Sequence, residues 1–148
     1  MQINDKLFVP NQGMGRFSFD LNEKNLVDIL EFSNIKYEKE IKEYVIEYIL
    51  MSEIDNTSIF FHYENSSIDY ISIHTSDLIL NNINIGKESK YEELLPLIKE
   101  YHNKNNIQFK YTTSQVFDEL FIYFENIGLS IWFENHRVSD ICITSIEN

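Results

Sequence analysis

Four histidines and one cysteine, with a closely spaced glycine pair, are the residues of this 148-residue chain whose types suggest chemistry. His62 and Glu64 stand two apart in an alternating segment, so both side chains leave one face of a strand. His74 falls where the adjacent strand would run, which gives a His/His/Glu set of the kind that suits zinc. Spacing alone does not build such a site, and histidines on a strand face are ordinarily surface residues. Neither a metal nor a cofactor is expected. His136 beside Arg137 is a His–Arg couple, but a turn capped by two polar side chains is the simpler account. His102, in Tyr-His-Asn-Lys-Asn-Asn after a helix, reads as a solvated loop residue. Cys142 lies in a strand, where a lone cysteine behaves as a small hydrophobe. Gly13-Met-Gly15 lacks the rest of a phosphate-binding fingerprint, and no serine sits in a nucleophile elbow. No catalytic residue is expected, and the chain reads as a non-enzyme.

The charge says more. The formal net charge is −12. Residues 43–86 hold seven acids and no Lys or Arg, and residues 111–148 hold six acids and only Arg137. These segments contribute −7 and −5, and the rest of the chain balances. Such a field disfavours nucleic acid and anionic membranes and attracts a basic partner. An acidic surface that serves solubility alone has the same composition. No apolar run approaches the roughly 20 residues that span a bilayer, and the first residues do not form a signal peptide. With a single cysteine, these features read as cytoplasmic.

Elements that would position these residues recur along the chain. Phe61-His-Tyr-Glu-Asn-Ser-Ser-Ile-Asp-Tyr-Ile-Ser-Ile73 aligns without gaps on Ile131-Trp-Phe-Glu-Asn-His-Arg-Val-Ser-Asp-Ile-Cys-Ile143. Upstream, Asn34-Ile-Lys-Tyr37 matches Asn106-Ile-Gln-Phe109, and each follows a leucine-rich stretch. The order points to two diverged repeats, about 14–76 and 83–146, in a single domain over residues 1–148. Asn22 would cap a short helix with Leu26, Ile29 and Leu30 on one face. Ser89 with Glu92 three residues on forms a capping-box pattern, and Pro96 would kink that helix or delay its start. Residues 43–51, 58–64 and 67–75 read as a strand meander, repeated by 107–113, 117–124, 128–134 and 137–145. Residues 35–42 suit a helix or a strand. Glu64-Asn-Ser-Ser67 and Glu134-Asn-His-Arg137 would be hairpin turns. The expected fold is α+β: two tandem helix-plus-antiparallel-sheet repeats forming one mainly antiparallel sheet with helices on one face.

A period of two separates the faces of that sheet. Ile59, Phe61, Tyr63, Ile71 and Ile73 go to the core with Leu129, Ile131, Phe133, Ile141 and Ile143. The other face carries Phe60, His62, Glu64 and Tyr70 from the first half. Trp132, Glu134 and Asp140 come from the second. Rings among carboxylates suit a binding surface for a basic protein, because rings supply contact area and acids steer encounter. Aromatics that pack cross-strand on a half-exposed sheet give the same pattern.

Two segments also carry a family resemblance. Val9-Pro-Asn-Gln-Gly-Met-Gly-Arg-Phe-Ser-Phe-Asp20, running into the helix at Leu26–Leu30, resembles the "Pro-x-x-Gly-x-Gly-x-Ile-x-Phe-Gly" start of small bacterial proteins encoded beside polymorphic and contact-dependent toxins, with Asp20 where they often have Gly. Tyr123-Phe-Glu-Asn-Ile-Gly-Leu-Ser-Ile-Trp-Phe-Glu-Asn-His-Arg-Val-Ser-Asp-Ile-Cys-Ile143 resembles their "Leu-Gly-Leu-x-hydrophobic-Trp/Phe" strand followed by "Arg-hydrophobic-x-x-Ile". The tandem layout is similar to that of β-lactamase inhibitor proteins. The resemblance implies an immunity protein that binds a cognate toxin domain, in many cases a basic-faced nuclease, and blocks its active site. The alternative is a small-molecule or metal-binding module using a cleft between the repeats.

Overall fold

A computed structural model describes residues 3–51, 57–74 and 77–146. A 3-10 turn (Ile3–Lys6) and three short strands, β1 (Leu7–Val9), β2 (Gly13–Met14) and β3 (Phe17–Ser18), lead into helix α1 (Glu23–Phe32). A meander follows: β4 (Tyr37–Ile41), β5 (Val45–Leu50), β6 (Thr57–His62) and β7 (Tyr70–Ile73). The hairpin β8 (Leu78–Leu80) and β9 (Ile83–Ile85) precedes helix α2 (Tyr91–Lys104). A second meander closes the chain: β10 (Tyr111–Val116), β11 (Glu119–Phe124), β12 (Leu129–Glu134) and β13 (Arg137–Thr144). The fold is α+β, and its sheets are mostly antiparallel.

Two sheets hold these strands, where a single one was expected. The larger has eight, in the order β10-β11-β12-β13-β7-β6-β5-β4, and the smaller has five, in the order β3-β2-β1-β8-β9. In the smaller sheet β1 and β8 run parallel. Its strands are two or three residues long, too short to display a period of two, so only their meeting across the chain makes them strands. Buried Asp5 braces this end: Arg16 Nε donates to Oδ1 at 2.9 Å and Nη2 to Oδ2 at 2.7 Å. Gly13 has φ of 138°, and a Cβ there would stand 2.3 Å from the Phe17 carbonyl oxygen. The glycine pair is a turn device.

Both helices stop the same way. Asn34 (φ 56°) and Asn106 (φ 56°) are left-handed, and the next residue donates back to the last turn: Ile35 to Leu30 O, and Ile107 to His102 O, each at 2.9 Å. This is a Schellman stop, for which Asn before an apolar residue is suited. The sequence match Asn34-Ile35/Asn106-Ile107 therefore has a local geometric cause. Asn22 caps α1, its Oδ1 accepting from the Asn25 N–H at 2.8 Å. The capping box at Ser89 is not made. Lys90 holds the cap position without a side-chain bond, and Ser89 Oγ donates instead to Asn84 O. The first N–H of α2, from Tyr91, is taken by His136 O at 2.9 Å. Helix α2 runs through exposed Pro96. Residues 37–41 resolve as edge strand β4.

In the larger sheet the core rows are buried as expected, except Tyr63, which is 59 % exposed because β6 ends at His62. They share one core cluster with Leu26, Leu30, Leu94 and Ile98 of the helices and Phe8 and Phe17 of the smaller sheet. At the central seam Ile71 faces Ile143, Ser72 faces Cys142 and Ile73 faces Ile141. The register does not follow the gapless alignment. Ile59, and not Phe61, lies opposite Ile71, whereas Ile131 lies opposite Ile141. The β12–β13 turn is the two residues Asn135 (φ 52°) and His136 (φ 69°), while 63–69 form a longer connection between β6 and β7. Glu64–Ser67 is thus part of a loop and not a tight turn. The offset is two residues, so every side chain keeps its face. The expected strand end at Thr75 lies outside the described residues.

Candidate functional site

The open face of the larger sheet divides at the β7–β13 seam. In the first half, Phe60 and Tyr70 are register partners whose rings stack at 4.2 Å between centroids and 13° between planes. Lys42 Nζ lies 6.0 Å from the Phe60 centroid and donates to buried Glu47 at 2.6 Å. That bond to Glu47 raises the lysine's pKa, and burial raises that of Tyr70. His62 stacks on Tyr63, with 5.4 Å between centroids, and its Nδ1 accepts the Glu64 N–H at 3.3 Å. Glu64 itself is an exposed loop residue outside the strand. The Phe60 and Tyr70 rings and the Lys42–Glu47 pair are thus matched within the sheet.

The second half is arranged differently. Phe121 and Trp132 are register partners with centroids 4.7 Å apart, and Trp132 is exposed. One step on, Glu119 lies directly opposite Glu134. Like charges facing each other across strands destabilise a sheet. Arg137 stands across from Glu134 in the next pair, yet its guanidinium goes to Glu88 Oε2 at 3.1 Å. Among the described residues neither Glu119 nor Glu134 has an ion-pair partner. With Ser114, Val116, Phe121 and Trp132, Glu119 lines a hollow of about 340 Å3. Asp140, opposite Trp132, accepts from His74 Nδ1 at 2.5 Å. On the other face of the same hairpin, Tyr91, Thr113, Gln115 and Phe133 are among the residues lining a hollow of about 530 Å3. At the hairpin tip, Phe117 has φ of 57° and is 93 % exposed. A bulky residue in the left-handed region is strained, and such strain gathers at functional sites.

Of the residues singled out from sequence, Trp132, Glu134 and Asp140 sit together in the second half. Phe60, His62 and Tyr70 sit in the first, and Glu64 stands off the sheet. The His62/Glu64/His74 set does not assemble. Ile73 pairs with Thr57, so His74 lies beyond the Thr57 end of β6, whereas His62 is at its other end, five residues and about 17 Å away along the strand. Among the described residues no three His, Cys, Asp or Glu side chains are placed to hold a metal. Cys142 is at the seam, and burial pushes its thiol up to about 12, which keeps it protonated and inert. His136 pairs with Glu92 at 3.1 Å and Arg137 with Glu88 at 3.1 Å, so the His–Arg turn ties the sheet to α2 and to the segment that leads into it.

His102 is a correction. It is fully buried inside α2, where Nδ1 donates to Ile98 O at 2.7 Å and Nε2 has no partner, beside the rings of Phe109 and Phe124. The signal for it was the spacing Leu94, Ile98, His102, one helix face in steps of four, which the polar neighbours masked. Glu119, Phe121 and Phe117 were missed as well. Their role depends on which strand faces them.

Comparison with protein-family models, curated proteins and solved structures gives no match. Among the described residues no helix is long and apolar enough to cross a membrane.

Proposed function

We propose that this chain is a toxin-neutralising immunity protein that docks a basic protein domain on the open face of its larger sheet and occludes that domain's active site. The observation that carries the binding role is the Glu119/Glu134 pair beside Phe121 and Trp132. The pair costs the fold stability, and among the described residues neither carboxylate is ion-paired, the Arg137 across from Glu134 being taken by Glu88, so it suits a Lys or Arg side chain brought by a partner, with the rings offering cation–π contact. The net charge of −12 steers such a partner in. The resemblance of the chain's two end segments to proteins encoded beside bacterial toxins supplies the kind of partner.

A duplicated ancestor accounts for the layout. The matching helix stops and the mirrored strand order about Ser72 and Cys142 support that reading. The contrast between the halves then marks divergence, with one copy's open face closed on itself and the other's left for a partner.

Co-expression with the toxin domain encoded beside the gene tests the proposal. The expected result is growth rescue and co-purification. Trp132→Ala, or Glu119→Gln with Glu134→Gln, should weaken the complex at least about tenfold. No complex together with no rescue would sink it.

A further inference from the structure

We infer that β10 is a docking edge, which takes an extended strand of the basic partner and adds it to the larger sheet. The inference rests on the open-face reading and deepens it by naming the partner's conformation and the atoms it bonds. Among the described residues β10 pairs only with β11, and all six of its residues are exposed. Its sequence, Tyr-Thr-Thr-Ser-Gln-Val, has neither charge nor proline. Natural sheets blunt a free edge with such residues. The opposite edge of this sheet, β4, does so with Glu38, Lys39 and Glu40.

The register identifies the free backbone groups. Glu125 N–H donates to Lys110 O, so residue 110 bonds towards β11, and alternation makes 112, 114 and 116 do the same. The N–H and C=O groups of Tyr111, Thr113 and Gln115 therefore point away from the sheet. The hairpin has a hollow on each face, one touching Ser114 and Val116, the other Thr113 and Gln115. A strand laid along β10 sends alternate side chains to the two faces, one set beside each hollow. Glu119, with Glu134 opposite it, selects Lys or Arg in the open-face set. A second copy of this chain does not fit, because two chains of −12 repel whereas a basic strand is attracted.

The test is a titration of isotope-labelled full chain with the blocked peptide Arg-Val-Arg-Thr-Arg-Val-Arg, with Glu replacing Arg in a control peptide. The readouts are amide hydrogen exchange and Trp132 fluorescence. Exchange at Tyr111, Thr113 and Gln115 should slow on binding, while the β4 edge does not change. Thr113→Pro removes an outward N–H without touching the β10–β11 ladder, and should weaken binding about tenfold. Should that variant fail to fold, protection in the natural chain decides alone. A Trp132 response without protection along β10 overturns strand addition but leaves the open-face reading standing. No response to the basic peptide overturns both. Equal binding of the acidic peptide overturns the basic occupant, and protection that vanishes on dilution without peptide assigns the edge to a second copy and overturns it too.

Discussion

In the half of the larger sheet made by β4 to β7, the open face closes on itself. Phe60 stacks on Tyr70, Lys42 neutralises buried Glu47, and charged residues guard the edge strand. In the half made by β10 to β13 the same positions are left unresolved. Two glutamates face each other, Trp132 is exposed, the edge strand is uncharged and the hairpin tip is strained at Phe117. Both halves belong to one continuous ladder and draw on one core, so the fold does not impose the difference. In the first half the central rings and the buried carboxylate find their counterparts within the sheet. A half that holds like charges together and leaves an edge bare has given up stability that a partner can restore.

The largest test of this contrast is alkaline. Burial raises the pKa of Tyr48, of Tyr70 and of Cys142, the last from an ordinary 9.0 to about 12, and for Tyr48 a hydrogen bond to Glu23 adds to it. On the larger sheet these lie in the first half or at the seam, while off the sheet burial also raises the pKa of Tyr101 in α2. Each holds its proton more tightly folded than unfolded, so the stability it contributes is complete below the unfolded pKa. It is lost as pH rises from about 9 towards the folded value. Urea unfolding should show a lower midpoint at about pH 11 than at about pH 8, with a smaller drop in Tyr48→Phe. An unchanged midpoint would remove burial as the feature that marks the first half.

Substitutions probe the halves one by one. Phe60→Ala takes a half-buried ring from a stacked pair and should cost about 2 kcal/mol of stability. Affinity for the proposed basic partner should stay nearly unchanged, and a large loss there would place binding in the first half. Phe117→Gly removes the left-handed strain and should stabilise the chain by about 1 kcal/mol. A destabilised variant would show that the ring packs at the tip. Glu134→Gln relieves the like-charge pair and should raise stability by about 0.5 kcal/mol while weakening the complex. Thermal melts and titration on the same samples would separate the two effects. If stability and affinity fell together, the glutamates would be structural.

Much of the fold was legible in the residues. Alternation at Ile59, Phe61, Ile71 and Ile73 and at Leu129, Ile131 and Phe133 assigned the core face, and a two-residue error in matching the halves did no harm because faces repeat every two residues. The Asn22 cap and the apolar stripe of α1 were local and therefore readable. Ser89 misled because its hydroxyl has a competing acceptor in Asn84 O, supplied by the β9 strand. Of the candidate site, Trp132, Glu134 and Asp140 were legible as an acidic and aromatic row, and Glu119 and Phe121 were not, since no local pattern tells which strand a residue will face.

By itself, then, the sequence determined the α+β composition, the two faces and the separation of charge, because these follow from periodicity and counting along the chain. The tertiary structure decided that there are two sheets, that His62 and His74 stand apart, that His102 is buried, and that Glu119 meets Glu134 beside Trp132 at an unguarded edge. Each of those depends on strand order and register. These are set by the cooperative packing of residues far apart in the chain, on which local spacing is silent.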